Sequence, residues 1–424
     1  MLTETLNIYS KDNSYLILNP RVPAWIVTNI TGAATIKEYA ECLSFEKTAE
    51  KINFLNSSIK KESVVKFLKN ADNMSLFKEE PQTKHFHKPY FLNALYLNMT
   101  ERCNLKCSYC FASSRNELGS SAITLDKYRE ILNSAKKISN GDMSIIFTGG
   151  EPLLSENTIP AAQYAKELGY STRLLTNATL IDKSNAEKLA SIFDLFKISM
   201  DGSTAEIHDY YRGHGSYQKT LHAIELLKSY NANVQIAMTV TRENVNDISE
   251  MNRKWGETLT FQPLFPLGRA KDNSNILTGE EYYESLCVHE RINPFSDIES
   301  IINAHMKNHS IMKCSLGDGE LSISCTGDVY PCQLLHDEKF YLGNIQENTL
   351  EEIYKSPKNN NFKTHTVDCI DKCKICDFKY LCGGACQARH FSETGSIDKA
   401  GDFCEYEKKG IINGLITSCK MIEL

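Results

Sequence analysis

Apolar positions fall into three regimes along the chain. Over residues 1–80, the short apolar runs "YLIL" and "AWIVTN" flank the turn "NPRVP", and helical spacing follows across "AATIKEYAECL", "FEKTAEKINFL" and "KKESVVKFLKNA". This predicts a small domain of strands followed by helices. Polar "KEEPQTKHFHKPY", with two prolines, predicts a linker placed at 81–92. From 93 to 300, six short apolar runs ("LNALYLNM", "MSIIF", "STRLLT", "LFKISM", "NVQIAMTV", "LTFQPL") alternate with amphipathic stretches such as "TLDKYREILNSAKKI" and "SYQKTLHAIELLKSY". Buried strands separated by helices imply a parallel sheet with right-handed crossovers, here a partial (β/α)6 barrel. Functional groups are expected at the C-terminal ends of its strands. From 301 to 424 the alternation stops. "CSLGDGELSISCTGDVYPC" predicts a hairpin turning at "TGD", and the loop-rich, cysteine-dense remainder predicts a domain held by bound metal rather than a large apolar core.

Composition narrows the setting. A chain of 424 residues has room for two or three domains. A net charge of -6 supplies no basic field for nucleic acid, and no apolar run reaches bilayer length. The first residues show no basic stretch followed by an apolar core, so a cytoplasmic protein with no nucleic-acid or membrane partner is expected. In that reducing setting, 15 cysteines point to metal or redox chemistry rather than disulfides. They are bunched: three lie at 103–110 and ten after residue 310, with only Cys42 and Cys287 elsewhere.

The first group lies in "TERCNLKCSYCFASS", on the loop after the first barrel strand. Cys103, Cys107 and Cys110 stand at i, i+4 and i+7, a spacing that would also place them on one face of a buried helix. Three thiolates could hold zinc, or three irons of a 4Fe-4S cube whose fourth iron stays open. "FASSRNELGSS" continues a helix poorly, which favours metal over the helical stripe.

"CNLKCSYC", with Tyr109 before its last cysteine, resembles the Cx3CxφC signature of radical S-adenosylmethionine (SAM) enzymes, and later segments agree in order. "FTGGEPLL" resembles the family's GGE motif, which implies that Gly149, Gly150 and Glu151 approach the methionine amino group. "LLTNATL" resembles its TNGTL element and implicates Asn177, with Ala178 where glycine is usual. "ISMDGSTAEIHDYYRG" resembles its SxDG...HDxxRG segment, making Ser199 and Arg212 candidate SAM contacts. "PLGRA" adds Arg269 as a weaker one. The resemblance implies that SAM chelates the open iron and yields a 5'-deoxyadenosyl radical, with no side-chain general base required. His208, Asp209, Tyr210 and Tyr211 are expected to cap and pack a helix beneath the site.

The second group reads C-x12-G-x4-C, a gap, C-x2-C-x5-C-x3-C, a gap, and C. This resembles the SPASM extension of radical SAM enzymes that modify peptides and proteins. It implies two auxiliary 4Fe-4S clusters, one on Cys314, Cys332 and Cys386, the other on Cys373, Cys376, Cys382 and Cys404, giving three clusters in all. The first auxiliary cluster lacks one protein ligand; Cys325 and Cys369 are the spare cysteines nearby, and an open iron is the alternative. A structural zinc site is the rival, but the five-residue spacer is short for a zinc ribbon.

Residues 18–52, with the Asn19-Pro20 turn, Trp25 and "VTNITG", resemble the winged-helix-like recognition element that binds precursor peptides by adding their leader as a strand to a sheet edge. Trp25 itself is expected in a core. Together the resemblances imply a peptide maturase whose partners are a precursor peptide with a leader and an electron donor of flavodoxin or ferredoxin type. The expected product is a thioether from cysteine sulfur to carbon. Carbon-carbon or carbon-oxygen cross-links and epimerisation are the alternatives, and a non-enzymatic metal scaffold is a reading of another class.

Overall fold

The computed structural model describes residues 5–79, 91–112, 114, 123–271, 274–287, 298–306 and 311–424. Residues 81–90 of the expected linker lie outside them. Strands β1 (Asn7–Lys11), β2 (Ser14–Asn19) and β3 (Ala24–Thr28) form an antiparallel sheet in that order. Asp12 and Asn13, both at positive φ, make the two-residue turn between β1 and β2 that strand twist favours. Helices α1 (Ile30–Cys42), α2 (Phe45–Leu55) and α3 (Lys61–Asn73) follow, the first two opened by Asn29 and Ser44, whose side chains accept from Gly32 and Lys47 N–H.

Period-two alternation gives this sheet two buried faces. Ile17 and Ile26 pack on α1–α3. Leu16, Leu18, Trp25 and Val27 face the other way and pack on Phe378, Leu381, Ile411 and Leu415. Trp25 is therefore in a core, but one that joins the N-terminal sheet to the C-terminal region.

Six parallel strands carry the barrel: β4 (Ala94–Asn98), β5 (Ser144–Thr148), β6 (Ser171–Thr176), β7 (Leu195–Ser199), β8 (Val234–Val240) and β9 (Leu259–Pro263). Between successive strands run α4 (Leu125–Lys136), α5 (Thr158–Glu167), α6 (Ala186–Ile192), the pair α7 (Ala205–Arg212) and α8 (Ser216–Ser229), and α9 (Ile248–Trp255). Strand residues such as Leu95, Leu97, Ile145, Phe147, Leu174, Phe196 and Ile198 form one core with these helices. Six strands in sequential order match the expected partial barrel.

The sheet does not stop at β4. After α10 (Gly279–Cys287) and α11 (Ile298–Met306), the expected hairpin forms as β10 (Glu320–Ile323) and β11 (Asp328–Tyr330), with β12 (Gly343–Asn344) beyond it. Strand β10 pairs parallel with β4, so the sheet has nine strands in the order β12-β11-β10-β4-β5-β6-β7-β8-β9. Asn98 pins that pairing by donating to the Ser322 hydroxyl and the Ile323 carbonyl, each at 3.0 Å. The remaining helices, α12 (Leu350–Lys355), α13 (Pro357–Lys363), α14 (Lys379–Cys382), α15 (Gln387–Thr394) and α16 (Phe403–Ser418), are mostly short and separated by cysteine-bearing loops. Past α16 the chain returns to the N-terminal sheet, where Ile422 bridges the outer edge of β3 at Thr28. Among the described residues no helix is long and apolar enough to cross a membrane.

Candidate functional site

The loop bearing Cys103, Cys107 and Cys110 is not helical, which removes the buried helical stripe as an explanation of their spacing. Their thiols lie close enough to interact, just past the C-terminal end of β4. Burial pushes the Cys103 thiol up to about 11, with Glu151 and the other two thiols adding to the rise. Leu105 N–H donates to Cys103 Sγ at 3.4 Å and Asn177 Nδ2 approaches the same sulfur at 3.8 Å.

Three neighbouring segments seat this loop. Gly150 N–H donates to the Thr100 carbonyl at 2.7 Å and Glu151 N–H to that of Arg102 at 2.8 Å. A Cβ on Gly150 would stand 2.1 Å from the Arg102 carbonyl oxygen, and one on Gly149, at φ +132°, would stand 2.5 Å from that of Thr100. The two glycines are thus required by the backbone of the cysteine loop itself. Glu151 is wholly buried and accepts from Thr176 Oγ1 (2.8 Å), Asn177 N–H (2.9 Å) and Leu153 N–H (3.2 Å). Burial pushes its carboxyl up to about 7 against the pull of those donors. Asn177 continues the chain of contacts: its Nδ2 donates to Asn104 at 3.0 Å and its Oδ1 accepts from Thr179 N–H at 2.9 Å. Ala178 holds φ at +61°, the left-handed region that glycine favours, so the backbone keeps that conformation without glycine.

On the other side stands a buried ion pair between Arg212 and Asp201, both of which bond to the Tyr109 hydroxyl. Asp201 also accepts from Thr239 N–H at 3.0 Å, which fixes the group to β8. Arg212 therefore reaches the cysteine loop through Tyr109. Arg269 clamps the same loop from outside, donating to the Cys107 carbonyl at 2.9 Å and the Ser114 carbonyl at 2.7 Å. Ser199 ends β7, half-buried at the mouth of the barrel. Asp209 caps α8 by accepting from Tyr217 N–H (2.7 Å) and Gly215 N–H (2.6 Å), and His208 is wholly buried, as expected of packing residues.

Two further thiol groups form in the C-terminal region. Cys314, Cys332 and Cys386 share one small cluster with Leu316 and Leu335. The Cys314 loop is anchored by buried Lys313, which pairs with Asp318 at 2.8 Å and donates to the carbonyls of Phe362 and Lys363. Gln387, next to Cys386, is buried with neither side-chain polar atom hydrogen-bonded. An amide buried in that way fits beside a sulfide-bearing cluster, which would accept from it. Cys373, Cys376, Cys382 and Cys404 all line a second cavity of about 270 Å3. There Phe378 N–H donates to Cys376 Sγ at 3.4 Å and Gly384 N–H to Cys382 Sγ at 3.3 Å. Among the described residues no three His, Cys, Asp or Glu side chains converge as they would on a single ion. Cys373, Cys376, Cys382 and Cys404 stand around a space, which suits a multi-iron cluster.

Residues 97–254 match the radical SAM superfamily, and residues 314–377 match an iron-sulfur cluster-binding domain, SPASM. An AdoMet-dependent heme synthase of Oleidesulfovibrio alaskensis is 30% identical over 348 residues, covering 73% of this chain and 86% of that protein. The chain belongs to the radical SAM superfamily. It is an enzyme of that superfamily with a SPASM domain. The subtilosin biosynthesis protein AlbA of Bacillus subtilis is 29% identical to this radical SAM enzyme over 314 residues, 70% of this chain and 67% of AlbA. Streptococcus suis SuiB, solved with its precursor peptide SuiA, shares the fold at a TM-score of 0.57 and 15% identity, covering 95% of this chain and 99% of SuiB.

Cys325, the spare cysteine considered for the first auxiliary group, is not brought to it. It follows β10 and lies beside Glu101, near the radical SAM cysteine loop. At roughly 3.3 Å per strand residue it is about 16 Å along the chain from the start of β10. Cys369 is exposed. The acid that does stand there is Glu320, whose carboxylate lies beside the Cys332 thiol. Sequence reasoning missed both Glu320 and Asp201. For Asp201 the quoted "SMDGS" carried a signal: an acid just past a strand end, eleven residues before an arginine. Glu320, in "LGDGEL", carried none.

Proposed function

We propose that this radical SAM enzyme modifies a ribosomally made precursor peptide, forming a thioether between a cysteine sulfur and a carbon. The observation that carries the reading is the N-terminal sheet-and-helix unit, seated through Trp25 on the SPASM region in a chain similar to AlbA. That unit is the recognition element, and the peptide's leader adds to its sheet as a strand. Residues 1–80, 93–300 and 301–424 then form the recognition, barrel and SPASM domains, in a cytoplasmic protein.

Cys103, Cys107 and Cys110 hold the cluster at the barrel mouth, and SAM lies against Gly149, Gly150, Glu151, Asn177 and Ser199. With SAM bound, a reduced cluster held there would supply the radical chemistry for hydrogen abstraction from the peptide. The chain's own residues orient and shield. Gly149 and Gly150 let two loop backbones touch, Glu151 ties the loop after β5 to that after β6, and Arg212 holds Tyr109 and with it the cysteine loop. Cys314, Cys332 and Cys386, and Cys373, Cys376, Cys382 and Cys404, would hold two auxiliary clusters, and a protein of flavodoxin or ferredoxin type would be the electron donor.

The test is anaerobic reconstitution with SAM, reductant and the peptide encoded beside the enzyme, read by mass spectrometry. Loss of two hydrogens per site with 5'-deoxyadenosine release, and fragmentation at a cysteine, supports the thioether. A bond elsewhere shifts the reading to a carbon-carbon or carbon-oxygen cross-link, and solvent deuterium uptake at unchanged mass shifts it to epimerisation. The 30% identity to a heme synthase favours a second reading, tetrapyrrole chemistry. Deoxyadenosine release with a tetrapyrrole and none with peptide would establish it.

A further inference from the structure

Three thiols leave one iron of a four-iron cube without a protein ligand. The chain offers an acid at that place. We propose that Glu320 supplies the fourth ligand of the first auxiliary cluster, through its carboxylate. The inference rests on the reading that Cys314, Cys332 and Cys386 hold a 4Fe-4S cluster.

Local folding brings Glu320 back to the thiols. After Cys314 the chain turns tightly, Gly319 and Glu320 N–H both donating to the Ser315 carbonyl at 3.0 Å, and Leu316 bridges Glu320. Pairing with Ala94 of β4 then fixes Glu320 in the sheet. Its Oε1 accepts from Gln333 N–H at 3.1 Å, which sets the carboxylate beside Cys332, whose thiol has Cys314 and Cys386 as neighbours. Among the described residues no cation stands beside Glu320.

An acid placed among thiols without a cation is hard to account for as packing. A half-buried carboxylate loses part of its hydration, and one N–H is a small return. Iron changes that balance, because a bound metal becomes the largest local charge and carboxylate oxygen is an acceptable donor to it. The side chain of Gln387, next to Cys386, is buried with no hydrogen-bond partner in the same group.

The test uses the full chain with Cys103→Ala, Cys107→Ala and Cys110→Ala, which removes the radical SAM cluster and leaves the two auxiliary ones, about eight irons per chain. Mild ferricyanide oxidation is followed by electron paramagnetic resonance and iron assay. The parent is expected to keep its iron. Glu320→Gln, which preserves the shape and an acceptor for Gln333, is expected to lose one iron and show a 3Fe-4S signal near one spin per chain. Glu320→Cys is expected to restore resistance, a rescue that misfolding cannot produce. Equal resistance of parent and Glu320→Gln overturns the proposal, as does a parent that loses the same iron. About four irons in parent and variants alike sinks the cluster reading itself, and with it the ligand.

Discussion

In the proposed reading a leader adds as a strand to an edge of the N-terminal sheet, and the residues after α16 already touch one such edge, that of β3. Ile422 N–H donates to the Val27 carbonyl at 2.8 Å, and Thr28 Oγ1 donates to the Ile422 carbonyl at 2.6 Å. Ile422 and Leu424 pack on the core beneath α1–α3, while Glu423 between them is exposed, the alternation of a strand on a half-buried edge. Replacing Ile422→Pro removes a hydrogen bond worth about 1 kcal/mol, and Leu424→Asp removes apolar contact worth a further ~1.5 kcal/mol. At 1.4 kcal/mol per tenfold, the double variant should weaken the tail's hold by about 50-fold. A competing strand then gains affinity up to the tail's own occupancy, so a rise of about tenfold or more is expected. The probe is a fluorescein-labelled peptide spanning residues 416–424 with Cys419→Ser, titrated into wild-type and variant full-length enzyme and read by anisotropy. Damage to the N-terminal unit would weaken binding, the opposite direction. Equal affinity for the two proteins would refute the reasoning, because it would mean that the tail does not occupy the edge in solution.

Other perturbations separate structural from chemical roles. Gly150→Ala drives a methyl group into the Arg102 carbonyl and should cost about 3 kcal/mol; reconstituted enzyme should hold about four fewer irons per chain, with the auxiliary clusters intact. Cys325→Ser should leave total iron unchanged after reconstitution, whereas Cys386→Ser should lower it. Burial holds the His208 imidazole down at about 4, below its ordinary 6.5, so the unfolded chain binds the extra proton between those values. Stability should therefore fall as pH drops from 6.5 to 4, by about 3 kcal/mol in total. His208→Asn should flatten that stretch in denaturant titrations of the cluster-free protein, and an unchanged slope would assign the loss to other groups.

What could be read from the sequence depended on how local its cause was. The six barrel strands showed because each buries a short apolar run between helices, a pattern complete within some thirty residues. The hairpin of β10 and β11 showed for the same reason. Its union with β4 did not, since that pairing joins segments more than two hundred residues apart and leaves no periodic trace. Trp25 was legible as buried but not as an inter-domain residue: alternation along β2 and β3 says that both faces are apolar, not what covers them. Gly149 and Gly150 were assigned to the approach of SAM, and the structure adds a second demand on them, since their Cβ positions are filled by the cysteine loop's backbone. A motif of that kind constrains fold and chemistry at once, and sequence spacing does not divide the two.

That union of sheets also relates the clusters to one another. Strand β10 begins at Glu320, beside the first auxiliary thiols, and runs parallel to β4, which ends at the loop of Cys103. Both cysteine groups therefore hang from adjacent strands of one sheet, at opposite ends. A one-residue slip of β10 against β4 would turn Glu320 away from Cys332 and carry Cys325 off Glu101. Asn98 opposes such a slip, because its two hydrogen bonds to Ser322 and Ile323 are satisfied in one register only. Leu321 and Ile323, both buried in the main core, oppose it as well, because a one-residue slip would turn them to the other face. The separation of the two cysteine groups is thus set in part by backbone pairing between the strands that carry them.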